Sequence, residues 1–331
     1  MQLGVGLVQA PFLARQVVLA GEGCRWAPLA DVFARAGLAS APAAAEASLS
    51  RWIGRIATLG HGEMRRLETV PADDPEIVDP GLVCPVDGGA KIMVVGGWSP
   101  VSRPDLAPRE MTAHVMTRWM DAEDFERPPI TAFKKFCSAT ADPGAALPLP
   151  ILQLVHGAPT TGRFTADAAL AVVIGKPALR VSRRDAPRHV AGITLMIDVW
   201  DDEVFLEESR VRRGMLARNL PRLSPVGPGI RLTGGAGIDD DFEVSFSING
   251  VVRQRFRVAD FAYGIAETIA FCSSMGLEPG DMLAFGARIA VADGTGPLDT
   301  PAAIAPGDSL EAAAEGIGTL AANVVAGEGW S

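Results

Sequence analysis

Two aspartates stand at the ends of the most apolar runs in this sequence. Asp167 opens Asp167-Ala-Ala-Leu-Ala-Val-Val-Ile-Gly-Lys176, and Asp198 follows directly on the run from Ile193 to Ile197. Short carboxylates at strand ends suit a hard cation, which prefers oxygen ligands. The plainer alternative is a pair of hydrogen-bonded turn residues. Glu207 and Glu208 come shortly after Asp198, and Arg103, Lys134 and Lys135 add further polar candidates. The charge run from Glu207 to Arg213 also fits a solvated face. Of the four histidines, His61, His114, His156 and His189, His114 falls in a helix-like piece and could move a proton. A lone histidine on a helix is more often a surface or packing residue.

The elements that must hold these groups are mostly short strands separated by Gly, Pro and Asp. Strands are predicted over 91–97, 152–155, 169–174, 193–199, 242–248, 251–258, 282–285 and 309–313, with another over 16–20. Asn249-Gly250, between two alternating runs, predicts a hairpin turn with positive φ at both positions. Helices are predicted over 29–36, 43–59 and 260–275; Asp260 and Gly276 are the candidate caps of the last. Leu49, Trp52, Ile53 and Ile56 form a core-facing stripe. Pro71, Pro75 and Pro80 mark a loop, so a small N-terminal domain over 1–83 is expected ahead of a larger domain over 84–331. Many short strands at this spacing point to an α+β protein built on a rolled or sandwiched β core.

With 331 residues, 48% hydrophobic and 21% charged, the chain can bury a substantial core. Its formal net charge of -9 gives no attraction to phosphate backbones or anionic membranes, so neither nucleic acid nor a membrane is expected as a partner. The first ten residues lack the basic start and cleavage site of a signal peptide, and a cytoplasmic location is expected. Four well-separated cysteines form no C-x-x-C pair and are expected to be reduced and mostly buried.

A set of motifs then carries a resemblance. In order they are Cys84-Pro-Val86, Gly89-Ala-Lys-Ile-Met-Val-Val-Gly96, Leu170-Ala-Val-Val-Ile-Gly-Lys176, Val190-Ala-Gly-Ile-Thr194, Asp198-Val199 and Ser224-Pro-Val-Gly-Pro228. They continue through Asn249-Gly250 with Gln254, Leu277-Glu-Pro-Gly-Asp281, Pro306-Gly-Asp308 and Gly316-Ile-Gly-Thr-Leu320 with Asn323. In register they resemble the fumarylacetoacetate hydrolase family over residues 84–331. The resemblance implies a mixed β-roll fold, usually a homodimer. It also implies a divalent cation, Mg²⁺ or Mn²⁺, that holds a small substrate with adjacent keto and carboxylate oxygens. Its chemistry would be carbon–carbon hydrolysis, hydration, dehydration, decarboxylation or tautomerisation.

The resemblance also exposes departures. The family's E-x-E is matched by Asp167 and Ala169, and its later Asp by Asp198, so one metal ligand is missing. Mg²⁺ can bind through fewer carboxylates with waters completing the octahedron, so the cation site is weakened. No histidine follows the strand ending near Gly96, where the family keeps its base; His114 is the candidate substitute. The family lysine ahead of the proline turn is matched by Arg218, which keeps anion binding and gives up proton transfer. Phe285-Gly-Ala-Arg288 replaces a hydroxyl-rich segment that grips the substrate carboxylate, leaving Arg288 as the anion contact. Ser102-Arg103 faintly resembles sugar-acid dehydratase relatives. Arg218, His114 and Glu207 are therefore the candidate catalytic residues. Arg288, Arg103, Lys134 and Gln254 are candidate substrate contacts, and Asp167 and Asp198 candidate metal ligands. Two functions follow: a divergent enzyme of this family with weak or lost metal dependence, or a non-catalytic partner protein that keeps the fold.

Overall fold

The computed structural model describes residues 4–9, 16–22, 25–38, 48–70, 82–86, 89–97, 130, 132–154, 157–210, 216–234, 237–239, 241–261, 263–287 and 303–329. The architecture is organised on two long antiparallel strands, β9 (Phe164–Ile174) and β10 (Val190–Asp201). They pair along their full length, from Phe164 opposite Asp201 to Ile174 opposite Val190. Every second residue of β9, Ala166, Ala168, Leu170, Val172 and Ile174, enters one core, while Ala169, Ala171 and Val173 enter another. Burial on both faces is why the sequence here reads as a continuous apolar run rather than as an alternation.

Around this pair the described residues form two sheets. Ahead of β9 come β1 (Gly4–Gln9), β2 (Gln16–Glu22), β3 (Arg25–Pro28), β4 (Leu82–Val83), β5 (Ile92–Gly97), β6 (Ala132–Lys135), β7 (Thr140–Ala141) and β8 (Ala146–Ile151). After β10 come β11 (Ser224–Leu232), β12 (Glu243–Ile248), β13 (Val251–Arg257), β14 (Met282–Ala287), β15 (Ala303–Ile304), β16 (Ser309–Ala314) and β17 (Gly318–Gly329). The larger sheet runs β3-β2-β1-β11-β10-β9-β14-β5-β6, with β4, β7 and β15 attached beside it; the smaller runs β13-β12-β16-β17-β8. Although β6 lies at the far end of the larger path, a single turn over 137–139 returns the chain as β7, parallel to the start of β11. The sheet thus curls toward itself, and this places β6 side chains beside β10 and β11. With helices beside mixed sheets, the fold is α+β, as expected.

The main sheet crosses the boundary expected at 83/84, because β1 pairs with β11 through Gly4–Arg231 and Val5–Ile230. Helices α1 (Leu29–Arg35), α2 (Leu49–Ala57) and α3 (His61–Thr69) supply the core on its other face. The predicted stripe Leu49, Trp52, Ile53 and Ile56 is buried there, and Trp52 meets Phe33 edge-on at 5.2 Å. Ser48 caps α2, accepting the Arg51 amide at 3.4 Å; positions 43–47 of the predicted helix lie outside the described residues. Two further helices are α4 (Asp202–Arg210) and α5 (Ile265–Cys272). Among the described residues no helix is long and apolar enough to cross a membrane. Burial pushes the Cys84 thiol up to about 12 and Cys272 to about 11.

Three elements differ from the sequence reading. The helix predicted from Asp260 begins at Ile265, since Asp260 ends a short 3-10 turn and extended Gly264 is the N-cap; Gly276, at φ 69°, does close the segment. No strand forms over the described residues 152–154 of the predicted 152–155; the nearest, β8, ends at Ile151. It holds Pro148 and Pro150 at the edge of its sheet, where a missing N–H is tolerated. β11 was hidden by Pro225, Gly227 and Pro228, which occupy a strand whose register against β10 shifts between Ile193 and Leu195. The Asn249-Gly250 turn is as predicted, with φ 52° and 76° between paired Ile248 and Val251.

Candidate active site

Asp167 and Asp198 are direct cross-strand partners, and the next pair on the same face is Ala169 opposite Met196. Residues paired in this way share a face of the sheet, with Cβ atoms about 5 Å apart. Two carboxylates this close repel unless cations lie among them. The cations come from elsewhere in the chain. The Lys135 ammonium is 2.7 Å from Asp198 Oδ1, and Arg218 Nη1 donates to Asp198 Oδ2. Lys135 also donates to Ser224 Oγ at 2.7 Å and to the Arg218 carbonyl. Asp198 is 0% exposed, Lys135 1% and Arg218 8%, so this ion cluster is inside the protein.

Burial acts on both charges. It raises the Asp198 carboxyl, but the neighbouring Lys135 and Arg218 charges outweigh that and hold it below the usual carboxylate range. Burial pushes Lys135 below the ordinary lysine range, against the opposing pull of Asp198. The Arg218 guanidinium is stacked among rings: its centre lies 4.2 Å from the Trp200 ring, 5.4 Å from Phe205 and 5.5 Å from Phe133. Such contacts favour a weakly hydrated, delocalised cation and suit arginine better than lysine.

Local structure explains these positions. Strand alternation in β6 turns Lys135 inward and leaves Lys134 exposed, its ammonium 5.3 Å from the Phe136 ring. Asn219, next to Arg218, clamps the same strand: its amide donates to the Lys134 carbonyl at 2.9 Å and its carbonyl accepts the Phe136 N–H at 2.5 Å. Glu208 of α4 accepts the Leu216 and Ala217 amides at 2.7 and 2.9 Å, fixing the approach to Arg218. Asp201 anchors α4 to β10 by accepting the Glu203 and Val204 amides, both at 2.9 Å.

The structure therefore brings together Asp167, Asp198 and Arg218 from the sequence reading. It adds Ser224 and Asn219, and it gives Lys135 and Glu208, polar candidates in the sequence, specific places at the cluster. Glu207 lies half-buried on α4, and Lys134 faces outward. Gln254 is engaged by the backbone of β9: its side-chain carbonyl accepts the Ala168 N–H at 2.8 Å and its amide donates to the Ala168 carbonyl at 3.2 Å. Ala168 sits where β9 lies between the partners β15 and β14, so Gln254 substitutes for a missing strand. Gln254→Ala is expected to cost about 1–3 kcal/mol in urea unfolding, the penalty for stranding buried peptide groups. His114, Arg103 and Arg288 lie outside the described residues.

A divalent metal does not fit the donors described. Among the described residues no cluster of three or more His, Cys, Asp or Glu side chains could hold one. Ala169 offers no oxygen, and both oxygens of Asp198 already face protein cations.

Comparison with known proteins bears on the whole arrangement. The fumarylacetoacetate (FAA) hydrolase C-terminal family model matches residues 105–325. Oxaloacetate tautomerase YisK of Bacillus subtilis is 30% identical over 161 residues, 48% of this chain and 52% of that protein. The fumarylacetoacetate hydrolase of the psychrophile Exiguobacterium antarcticum superposes with a TM-score of 0.67 at 19% identity, covering 98% of this chain and 99% of its own. A fumarylpyruvate hydrolase from Pseudomonas aeruginosa, solved in complex with Mn²⁺ and pyruvate, gives a TM-score of 0.55 at 22% identity, covering 73% and 91%. Spanning most of the larger sheet and the whole ion cluster, the matched region makes this chain a member of the fumarylacetoacetate hydrolase family.

Proposed function

We propose that the chain is an enzyme acting on a small keto or enol substrate that carries a carboxylate, and that its reaction is a proton relocation such as tautomerisation or isomerisation. The observation that carries this reading is the buried Lys135 beside Asp198 and Arg218. A lysine whose ammonium is disfavoured by burial can give its proton to the enol carbon and take one back from the enol oxygen, while an arginine holds the carboxylate or enolate oxygen. Such a relocation needs no activated water, and so tolerates the absence of a histidine after Gly96. Carbon–carbon hydrolysis asks for that water and is the less favoured branch. The tautomerase relative is consistent with the same chemistry. Arg288 and Arg103 are proposed as further anion contacts, His114 and Glu207 as proton carriers, and a homodimer as the assembly, on the strength of the family resemblance.

The test is ketonisation of enol-oxaloacetate, followed by loss of enol absorbance. Wild-type protein is expected to accelerate it. Lys135→Met should lower kcat by about 10²–10⁴-fold with a much smaller change in KM, the size expected for a lost general acid–base group. No acceleration by wild type, or full activity in Lys135→Met, would remove this assignment. One observation favours the non-catalytic alternative: Asp198, Ser224 and the Arg218 carbonyl already engage the Lys135 ammonium. Under that reading Lys135→Met changes stability and no rate.

A further inference from the structure

We infer that the cation which the family draws from a divalent metal is built into this protein as the Lys135–Arg218 pair, so that an oxyanion beside Asp198 is neutralised without metal. The argument begins with occupancy. The two Asp198 oxygens, on which the resemblance places a metal, are faced by Lys135 Nζ at 2.7 Å and by Arg218 Nη1. A dication entering there must displace a buried ammonium or guanidinium, or sit beside it without water to screen the repulsion.

The donor set and the charge balance agree. Along the β9–β10 ladder, the neighbouring pair on the face of Asp167 and Asp198 is Ala169 and Met196, a methyl and a thioether where a hard cation needs oxygen. Among the described residues, Asp167 and Asp198 are already balanced by the Lys135 and Arg218 cations. A divalent ion would leave a net double positive charge in a space where Asp198 and Lys135 are almost wholly enclosed. A metal cage carries the opposite bias, with more carboxylate charge than protein cation.

The pair also retains capacity toward an anion. Arg218 Nη1 is committed to Asp198, but Arg218 Nε is buried with no hydrogen-bond partner among the described residues. The guanidinium is held flat by Trp200 on one side and braced by Phe205 and Phe133. A planar donor fixed by rings, with one N–H still to be satisfied, matches a planar carboxylate or enolate oxygen. This part of the inference rests on the function proposed above, whereas exclusion of the metal does not require turnover.

Titration with MnCl₂, read as loss of the free-Mn²⁺ electron paramagnetic resonance signal, separates the two. Wild-type protein is expected to leave the signal unchanged at millimolar Mn²⁺. The double variant Lys135→Met, Ala169→Glu removes one blocking cation and restores the missing carboxylate. If circular dichroism shows it folded, it should bind Mn²⁺ at least about tenfold more tightly than wild type, through an oxygen donor set that the ion prefers. Stoichiometric Mn²⁺ binding by wild type that Asp198→Asn abolishes would overturn the inference, and so would a folded double variant that gains no affinity. The wild-type titration decides the matter even if the double variant does not fold. A failed enol-oxaloacetate assay would remove the proposed function and leave the titration result standing.

Discussion

Asp198→Ala is expected to destabilise the fold by about 3–5 kcal/mol, because it leaves two buried cations without their shared counter-ion. Lys135 and Arg218 would then face each other, the first with only a hydroxyl and a peptide carbonyl as acceptors. Urea unfolding followed by circular dichroism measures the loss, and a change below about 1 kcal/mol would show that the cluster is worth no more than a surface pair. The acid dependence carries the same information. Asp198 titrates below the usual carboxylate range when folded, so between the two values the unfolded chain binds the extra proton. The contribution is therefore complete above the ordinary carboxylate range and is lost as pH falls through the folded value. In Asp198→Asn that acid limb should be absent, which distinguishes the charge from the packing of the side chain.

Gly192→Ala is expected to be comparably severe, at about 3 kcal/mol or more, for a steric reason. An added Cβ would lie 2.3 Å from the Arg231 carbonyl oxygen and 2.7 Å from Ile230 Cγ2. The nearer atom belongs to the paired backbone of β11, opposite the start of β10, and cannot rotate away. Relief would require the β10–β11 ladder to separate next to the bulge that seats Pro228. Gly237→Ala is the control: nothing lies within 4 Å of its added methyl, and its effect should stay within about 0.5 kcal/mol. Thermal unfolding of the two variants side by side checks the contrast; equal melting temperatures would show that β10 and β11 can part cheaply.

What could be read in the sequence depended on how local the signal was. The Asn249-Gly250 hairpin and the apolar runs of β9 and β10 announce themselves within a few residues. β11 does not, since Pro225 and Pro228 normally argue against a central strand, and only its bulged register against β10 accommodates them. At the site, Asp167 and Asp198 were legible as residues, but their facing register needs the pairing of two strands. Lys135 was legible only as one of several polar candidates, with no sign that it meets Asp198. Its sequence context, Phe133-Lys-Lys-Phe136, tells which lysines alternate and not which one points inward. That choice is made by the curl of the sheet and by the Asn219 clamp, both products of residues far along the chain. Gln254 shows the opposite limit: its motif marks it as a ligand contact, and only the fold reveals that its amide also completes β9.

The return of the chain from β6 through β7 to β11 has a kinetic corollary. The Asp198 charge cannot be sequestered until a segment 63 positions earlier and another 20 positions later have both docked against β10. Loop-closure entropy must be spent on both before either ion contact offers anything in return. A folding chain that has zipped β9 to β10 alone still holds Asp167 and Asp198 opposed and unneutralised, which penalises closing that hairpin early. The ion cluster therefore acts as a checkpoint on assembly order: the central hairpin becomes comfortable only once the roll around it has closed.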